Sequence, residues 1–415
     1  MTHKKSPRYT SIEICAGAGG QAVGLHQAGF DHLALVEIDK YAIETLELNI
    51  KTNRALGWKP DNCAILPIDV NEFNPLQPMS EGAKRLEPRE LDLLAGGVPC
   101  PPFSHAGKQL GKDDERDLFP RMLELVEILQ PRAVMIENVR GIMDPKFSEY
   151  RSWIKTRLER GDRRQAGGEE LAAKGPGYTI SQWGVLEASN FGVPQLRPRA
   201  ILVAFRNDVI QGLNGNEKYI WPGSARKKQV TVAESLKKSM QERYSRYSQG
   251  EHKERADLAY KTWLEKASGI APTLVGGSKK HGGADLGPSR AKAAWRQLGV
   301  SGMGVANDIE TCLQKHTEDR DLFGPDGPML TVQQAAIIQG FPSEWKFSGG
   351  KTAQYRQVGN AFPPPVAEAV GKSIIKVLEA ARKREKLSND AMRKRDIQSD
   401  QLQFDMPSEE TQRAS

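Results

Sequence analysis

Cysteine is scarce. The four in 415 residues stand at 15, 63, 100 and 312 and form no C-x-x-C pair, which argues against a zinc site or a disulfide framework and fits a reducing compartment. No metal is expected. Long apolar runs are missing as well, so no segment reaches the length of a membrane span. The polar start MTHKKSPRYTS lacks the apolar stretch of a secretory signal, and the expectation is a cytoplasmic protein. No internal repeat is visible. With 38% hydrophobic residues and a mean hydropathy of -0.55, the chain reads as globular with polar loops. It is long enough for one large domain with a lobe, or for two domains.

Charge, by contrast, is present and uneven. The chain carries a formal net charge of +7. Between residues 218 and 296 there are 17 Lys and Arg against 7 Asp and Glu, so the remainder is slightly acidic. A basic block this local suggests a phosphate-facing surface, the plain alternative being a solvated helical face.

The first 200 residues alternate apolar runs with helical patterns. TSIEICAG reads as a strand breaking into a glycine-rich turn, with a helix through AVGLHQAG. HLALVEID, LDLLAGG, AVMIENV and AILVAFR read as further strands. KYAIETLELNI and LFPRMLELVEIL recur at helical spacing, the second with Leu118, Met122, Leu125 and Leu129 on one face. Strands alternating with helices predict an α/β fold, a doubly wound, mostly parallel sheet covered on both faces. Ligands in such folds bind beyond the carboxyl ends of the strands. From residue 207 to about 347 the texture turns irregular, basic and rich in Gly, Lys and Ser, as in a second, smaller domain. Its Trp263 and Trp295 are assigned to packing ahead of stacking on nucleic acid. PPPVAEAVGKSIIKVL then predicts a helix with Val366, Val370, Ile374 and Val377 on the face that needs a partner. The charged, apolar-poor end of the chain predicts disorder.

Chemistry concentrates at the strand ends. Ala16, Gly17, Ala18, Gly19 and Gly20 follow the first strand, where a tight turn lets a ligand approach backbone and helix N–H groups. Glu37 closes the next strand, at the distance where dinucleotide folds hold ribose hydroxyls. Asp69 closes the one after and could accept from an adenine amino group; as helix N-caps or loop acids both would be unremarkable. Cys100 lies between Pro99 and two further prolines in GGVPCPPFSHAGKQ, a backbone too stiff to continue as strand or helix. Glu137, with Asn138, ends the run VMIENV. An acid there is costly to bury unpartnered, which suggests a raised pKa and proton handling. In VPQLRPR, alternation puts Gln195, Arg197 and Arg199 on one side of an extended segment.

This set resembles the DNA (cytosine-5) methyltransferase family, with likeness to the methyltransferases of type II restriction–modification systems. The resemblance covers nearly the whole chain. EICAGAGGQAVGL is similar to the family's cofactor motif, GGVPCPPFSHAGKQ to its nucleophile loop, ENV to its glutamate motif and QLRPR to its glutamine–arginine motif. LTVQQAAIIQGFP and QVGNAFPPPVAEAVG match its last two motifs, in the family's order. The resemblance implies a catalytic and cofactor-binding domain over residues 1–205, a target-recognition domain over 206–345, a returning segment and helix over 346–385, and a disordered tail over 386–415. It implies Cys100 as nucleophile, with Glu137, Arg197 and Arg199 as the other catalytic groups. S-adenosyl-L-methionine would lie against Cys15, Ala16, Gly17, Gly19, Gly20, Glu37, Ile38, Asp69, Val70, Pro99, Leu118, Asn360 and Ala361. Double-stranded DNA would be gripped by Ser104, His105, Lys108, Gln109, Gln195, Thr273, Lys279 and Lys280, the segment 104–116 closing over a flipped-out base. A monomer is expected, either solitary or paired with a cognate restriction endonuclease that acts separately.

Three departures from the pattern stand out. Cys15 takes the place of the usual aromatic, Pro101 follows Cys100 where the family more often has glutamine, and DERDLF is one residue short, which bears on Leu118. The alternatives are a tRNA cytosine-5 methyltransferase and a catalytically silent DNA-binding module. The long basic region weighs against the first, the intact Cys100, Glu137, Arg197 and Arg199 set against the second.

Overall fold

The computed structural model describes residues 9–53, 56–80, 82, 84–99, 117–160, 165–166, 169–170, 177–224, 228–249, 252–276 and 284–404, the side chains of the last helix through residue 393. Cys100, Ser104, His105, Lys108, Gln109, Lys279 and Lys280 therefore lie outside the described residues.

The apolar runs form the strands that their pattern predicts: β1 (Tyr9–Ile14), β2 (Phe30–Val36), β4 (Leu93–Gly96), β5 (Ala133–Val139) and β9 (Pro198–Arg206), joined by β3 (Ala64–Leu66) and β8 (Tyr178–Glu187). A separate two-stranded ribbon pairs β6 (Gln165–Ala166) with β7 (Glu169–Glu170). The main sheet runs β3-β2-β1-β4-β5-β9-β8, parallel throughout except for β9, which pairs antiparallel with both β5 and β8. The long strand β8 escaped the sequence reading because it closes the sheet's edge and is only half-buried along most of its length.

Alternation along the strands builds two cores. Leu93, Ala95, Met135, Ile201 and Val203 face α1 (Gly20–Ala28) and the last helix, α13 (Pro364–Phe404). Ile12, Ile14, Leu94, Ile136 and Leu202 face α3 (Phe119–Leu129) and α4 (Ser148–Arg160). Val366, Val370, Ile374 and Val377 are buried, as their spacing requires. The tail is where composition misled. The helix runs on to Phe404, and its charged part is tied to the body by ion pairs. Arg382 makes two hydrogen bonds to Asp92, at 2.9 and 2.8 Å, and lies over the Tyr9 ring, while Glu385 pairs with Arg132. Residues 386–404, expected to be disordered, continue the same helix.

The region read as irregular is largely helical among the described residues: α5 (Asn207–Ile210), α6 (Val232–Ser245), α7 (Lys253–Lys266), α8 (Ser289–Gln297), α9 (Ile309–Lys315), α10 (Glu318–Asp321) and α11 (Val332–Gln339), followed by α12 (Lys351–Asn360). The α2 helix (Lys40–Leu46) precedes these in the first region. Thr231 with Glu234 and Thr331 with Gln334 form capping boxes that start α6 and α11. Trp263 and Trp295 are buried in this core. Apolar packing does not stop near residue 205: Ala22, Val23, Leu35 and Leu46 share one core with Leu274, Phe341 and Trp345.

The strand order positions the site. From β1 the chain winds outward to β2 and β3, then returns to β4 on the other side of β1. The crevice at such a switch point opens beyond the carboxyl ends of β1 and β4. Ile14 pairs with Gly96, and Gly96 with Ile136, so the residues that follow each of these emerge side by side. They are Cys15, Gly97 and Glu137.

Candidate active site

The glycine turn after β1 is built from left-handed residues. Cys15, Gly17 and Gly19 have φ of 52°, 54° and 86°, the first strained for a side chain with a Cβ. The Gly17 N–H donates to Glu37 Oε2 at 2.6 Å, while the Ile38 and Asp39 N–H groups donate to Glu37 Oε1. Three backbone donors therefore hold the carboxylate in place, and its remaining acceptor capacity is left for a ligand hydroxyl. Gly19 does other work. It caps α1, and a Cβ there would come 2.8 Å from the Trp345 ring. There it serves packing against Trp345 and Leu46.

Two cavities open at the switch point. One, of about 360 Å³, is lined by the turn, by Glu13, Gln21 and Glu137, and by Asn360 and Ala361 at the end of α12. The other, of about 760 Å³, is lined by Ile38, Ile68, Val70 and Leu118, with Asp69 as an acid on its wall. Cys15, Glu37 and Pro99 belong to both. Of the expected cofactor residues Cys15, Ala16, Gly17, Gly20, Glu37, Ile38, Asp69, Val70, Pro99, Leu118, Asn360 and Ala361 all front this crevice. Its volumes lie in the range of small-molecule sites. An apolar half with one acid, a pinned carboxylate at the junction and a polar half fit an adenine, a ribose and a charged amino-acid end.

Glu13 was missed by the sequence reading, although an acid inside an apolar strand is the signal that picked out Glu137. It is fully buried, and its Oε2 and both polar atoms of Gln21 have no protein partner in hydrogen-bond geometry. Burial holds its carboxyl well above the usual range. The Gln21 amide lies close enough to pull it back without a well-aligned bond, and the Glu37 and Glu137 carboxylates add to the rise. Orphaned polar atoms on the wall of a cavity are what a polar ligand would satisfy. Arg356 and Gln357 line the same wall and carried no local signal.

Glu137 reaches the cavity from the end of β5, its side chain 13% exposed. Antiparallel β9 brings Arg199 beside Val139, and the guanidinium Nε meets Glu137 Oε1 at 2.9 Å. Burial pushes the Glu137 carboxyl up, with Arg199 and then Arg197 pulling it back. Asn138 donates from Nδ2 to the Val98 carbonyl at 2.8 Å, tying the end of β5 to the segment that leads to Cys100. The Leu118 N–H bonds to the Pro99 carbonyl at 3.3 Å, so the chain leaves for Cys100 and returns at one point on the crevice wall.

Gln195 and Arg197 depart from expectation. Gln195, assigned to DNA, is completely buried: its Nε2 donates to Gln339 Oε1 at 2.8 Å and its Oε1 accepts from the Leu274 N–H at 2.7 Å. Arg197, assigned to catalysis, is 1% exposed and donates to the carbonyls of Leu274, Gly359 and Ala361 at 2.7, 2.6 and 3.0 Å. Alternation put both on one side correctly, but that side is covered by the segment from Ala271 onward, which bridges to Gln195. Thr273 is half-buried, its hydroxyl donated to the Leu196 carbonyl. Arg197→Ala strips three buried carbonyls of a charged donor. It is expected to cost about 3 kcal/mol or more, read as a lowered urea midpoint. A variant as stable as the parent would show that water replaces the guanidinium.

A doubly wound sheet with a left-handed glycine turn, a pinned carboxylate after β2 and a polar crevice at the switch point is a Rossmann-like, nucleotide-binding architecture, here that of the S-adenosylmethionine-dependent methyltransferases. The profile of the family described as "C-5 cytosine-specific DNA methylase" matches residues 9–376, and the chain belongs to that family. Its activity is DNA cytosine-5 methyl transfer. Among curated relatives, the type II methyltransferase M.NaeI of Lentzea aerocolonigenes is 46% identical over 88% of this chain and 74% of its own length. M.NgoMIV of Neisseria gonorrhoeae is 42% identical over 90% and 99%. A solved Escherichia coli prophage protein, described as a "putative DNA modification methyltransferase", has the same fold, with a TM-score of 0.53 at 21% identity, over 89% of this chain and 99% of that one.

Proposed function

We propose that the protein methylates C5 of a cytosine flipped out of a specific double-stranded DNA sequence, through a covalent adduct to Cys100, as the modification half of a restriction–modification system. The observation that carries this reading is the meeting of Glu137, paired with Arg199, and the two ends of the Cys100 segment on the wall of one crevice. S-adenosyl-L-methionine supplies an electrophilic methyl group when bound. Its ribose would be held by Glu37, its adenine by Ile38, Asp69 and Val70 with Leu118 beside them, and its amino-acid end by Glu13, Gln21 and Asn360.

Cytosine C5 is a weak nucleophile. Addition of the Cys100 thiolate to C6 makes the ring an enamine, which is nucleophilic at C5. Glu137, kept protonated to higher pH by burial, donates to N3 and relieves the negative charge that develops there, while accepting from the exocyclic amine. Arg199, paired with Glu137, would meet the cytosine O2. Loss of the C5 proton after methylation, followed by β-elimination, returns the thiol. The target atom is unreachable inside a duplex, so the base must leave the stack. Ser104, His105, Lys108 and Gln109 in the nucleophile loop and Thr273, Lys279 and Lys280 in the basic region are proposed to hold the strand, phosphate contacts setting register and base contacts reading sequence. The protein is proposed to act in the cytoplasm as a monomer, beside an endonuclease that works separately. No helix among the described residues is long and apolar enough to cross a membrane.

The test is transfer of label from methyl-labelled S-adenosylmethionine to unmethylated duplex DNA and, separately, to tRNA. Recovery of 5-methylcytosine from the duplex is expected, and sequencing the product then gives the target site. Label in tRNA alone would move the substrate to RNA with the same chemistry. No transfer to either would leave a binding protein.

A further inference from the structure

The two buried polar side chains of the segment VPQLRPR, Gln195 and Arg197, share one place. Arg197 and Gln195 between them bond the carbonyl and the N–H of Leu274, and Arg197 also holds the carbonyls of Gly359 and Ala361. Gln339 bonds Gln195 and the same Ala361 carbonyl. These six contacts hold the backbone leaving Leu274 against the end of α12. The approach is very close. A Cβ built on Gly359 would stand 2.5 Å from Gly276 Cα, and one built on Gly276 would stand 2.6 Å from Asn360 Cγ and 2.8 Å from the Arg356 carbonyl. Gly276 is buried, whereas Asn360 is exposed toward the cavity that also holds Glu13, Glu37 and Glu137.

We infer that Gly276 is a positioning residue for the cofactor site: its missing side chain is the space in which Asn360 takes the orientation that faces the cavity. The inference rests on reading that cavity as the S-adenosylmethionine site. The recognition region and the cofactor-side turn thus seat each other, and a group that touches neither cofactor nor DNA sets cofactor affinity. Any side chain at 276 must displace either the Asn360 amide or the Arg356 carbonyl. The carbonyl belongs to a helix, while the amide ends a short rotatable side chain, so the amide yields.

The experiment is a double-mutant cycle read by calorimetric titration of S-adenosylmethionine into DNA-free protein, with thermal unfolding of each unliganded variant alongside. Gly276→Ala is expected to raise Kd about tenfold, the effect of losing roughly one hydrogen-bond partner, while kcat at saturating cofactor stays within about twofold of the parent. Asn360→Ala alone weakens binding similarly, and adding Gly276→Ala to it costs little more, because the displaced group is already gone. Unchanged affinity in Gly276→Ala would overturn the inference. So would an equal loss in both backgrounds, which marks a general disturbance. If Gly276→Ala alone fails to fold, recovery of folding in the double variant supports the contact and its absence refutes it. Failure of the parent protein to bind the cofactor would instead refute the reading of the cavity.

Discussion

Cys100→Ala is expected to abolish methyl transfer, lowering kcat by about 10⁴-fold or more, the scale seen when a nucleophile that acts as one unit with its partners is removed. No other thiol among the described residues can take over. Cys63 and Cys312 are buried, and burial pushes the Cys63 and Cys15 thiols up to about 12, where almost none is ionised at neutral pH. The cofactor's affinity should not change, because the crevice walls are formed by Pro99 and its neighbours. A structural role for the thiol would also lower activity, so the decisive readout is the adduct. Duplex carrying 5-fluorocytosine at the target cannot lose the C5 proton, so elimination stops and the protein stays bound through denaturing electrophoresis. Parent protein trapped and Cys100→Ala untrapped is the expected pair. Trapping of both would place the covalent bond on another residue.

Glu137→Gln is expected to lower kcat by about 10²- to 10⁴-fold, the range for removal of a positioned proton donor. The amide still donates but cannot pass a proton, and Arg199 loses the carboxylate that orients it at 2.9 Å. The pH profile separates these effects. Burial raises the Glu137 pKa above its ordinary value, so the working, protonated form persists to higher pH and is lost as pH climbs through the raised value. Parent kcat should fall across that window and the Gln variant should be flat. Stability follows the same sign. Between the ordinary and the raised value the folded state holds a proton that the unfolded chain has released, so stability drops as pH rises, and Glu13 adds a drop in the same direction. A parent profile that is level through this range would remove Glu137 from the role of proton donor.

Whatever is local was legible in the residue pattern. Apolar runs announced β1, β2, β4, β5 and β9, strands of four to nine residues. The turn at residues 16–20, Glu37, Asp69, Pro99 and Glu137 each follow or end one of these or its neighbour. In a doubly wound sheet residues just past adjacent strands meet at the switch point, so position along the chain was enough to assemble the crevice. The tertiary structure alone decided what covers a side chain. The alternation in VPQLRPR said correctly which way Gln195 and Arg197 point, but nothing nearby says that Leu274, Gly359 and Ala361 lie over them. The same holds for the charged end of α13, where Arg382 is held by Asp92, 290 residues away, and for Gly276 against Asn360. Whether a polar group is exposed, paired or buried depends on partners remote in the chain, and a pattern that spans a few residues carries the direction of a side chain without its surroundings.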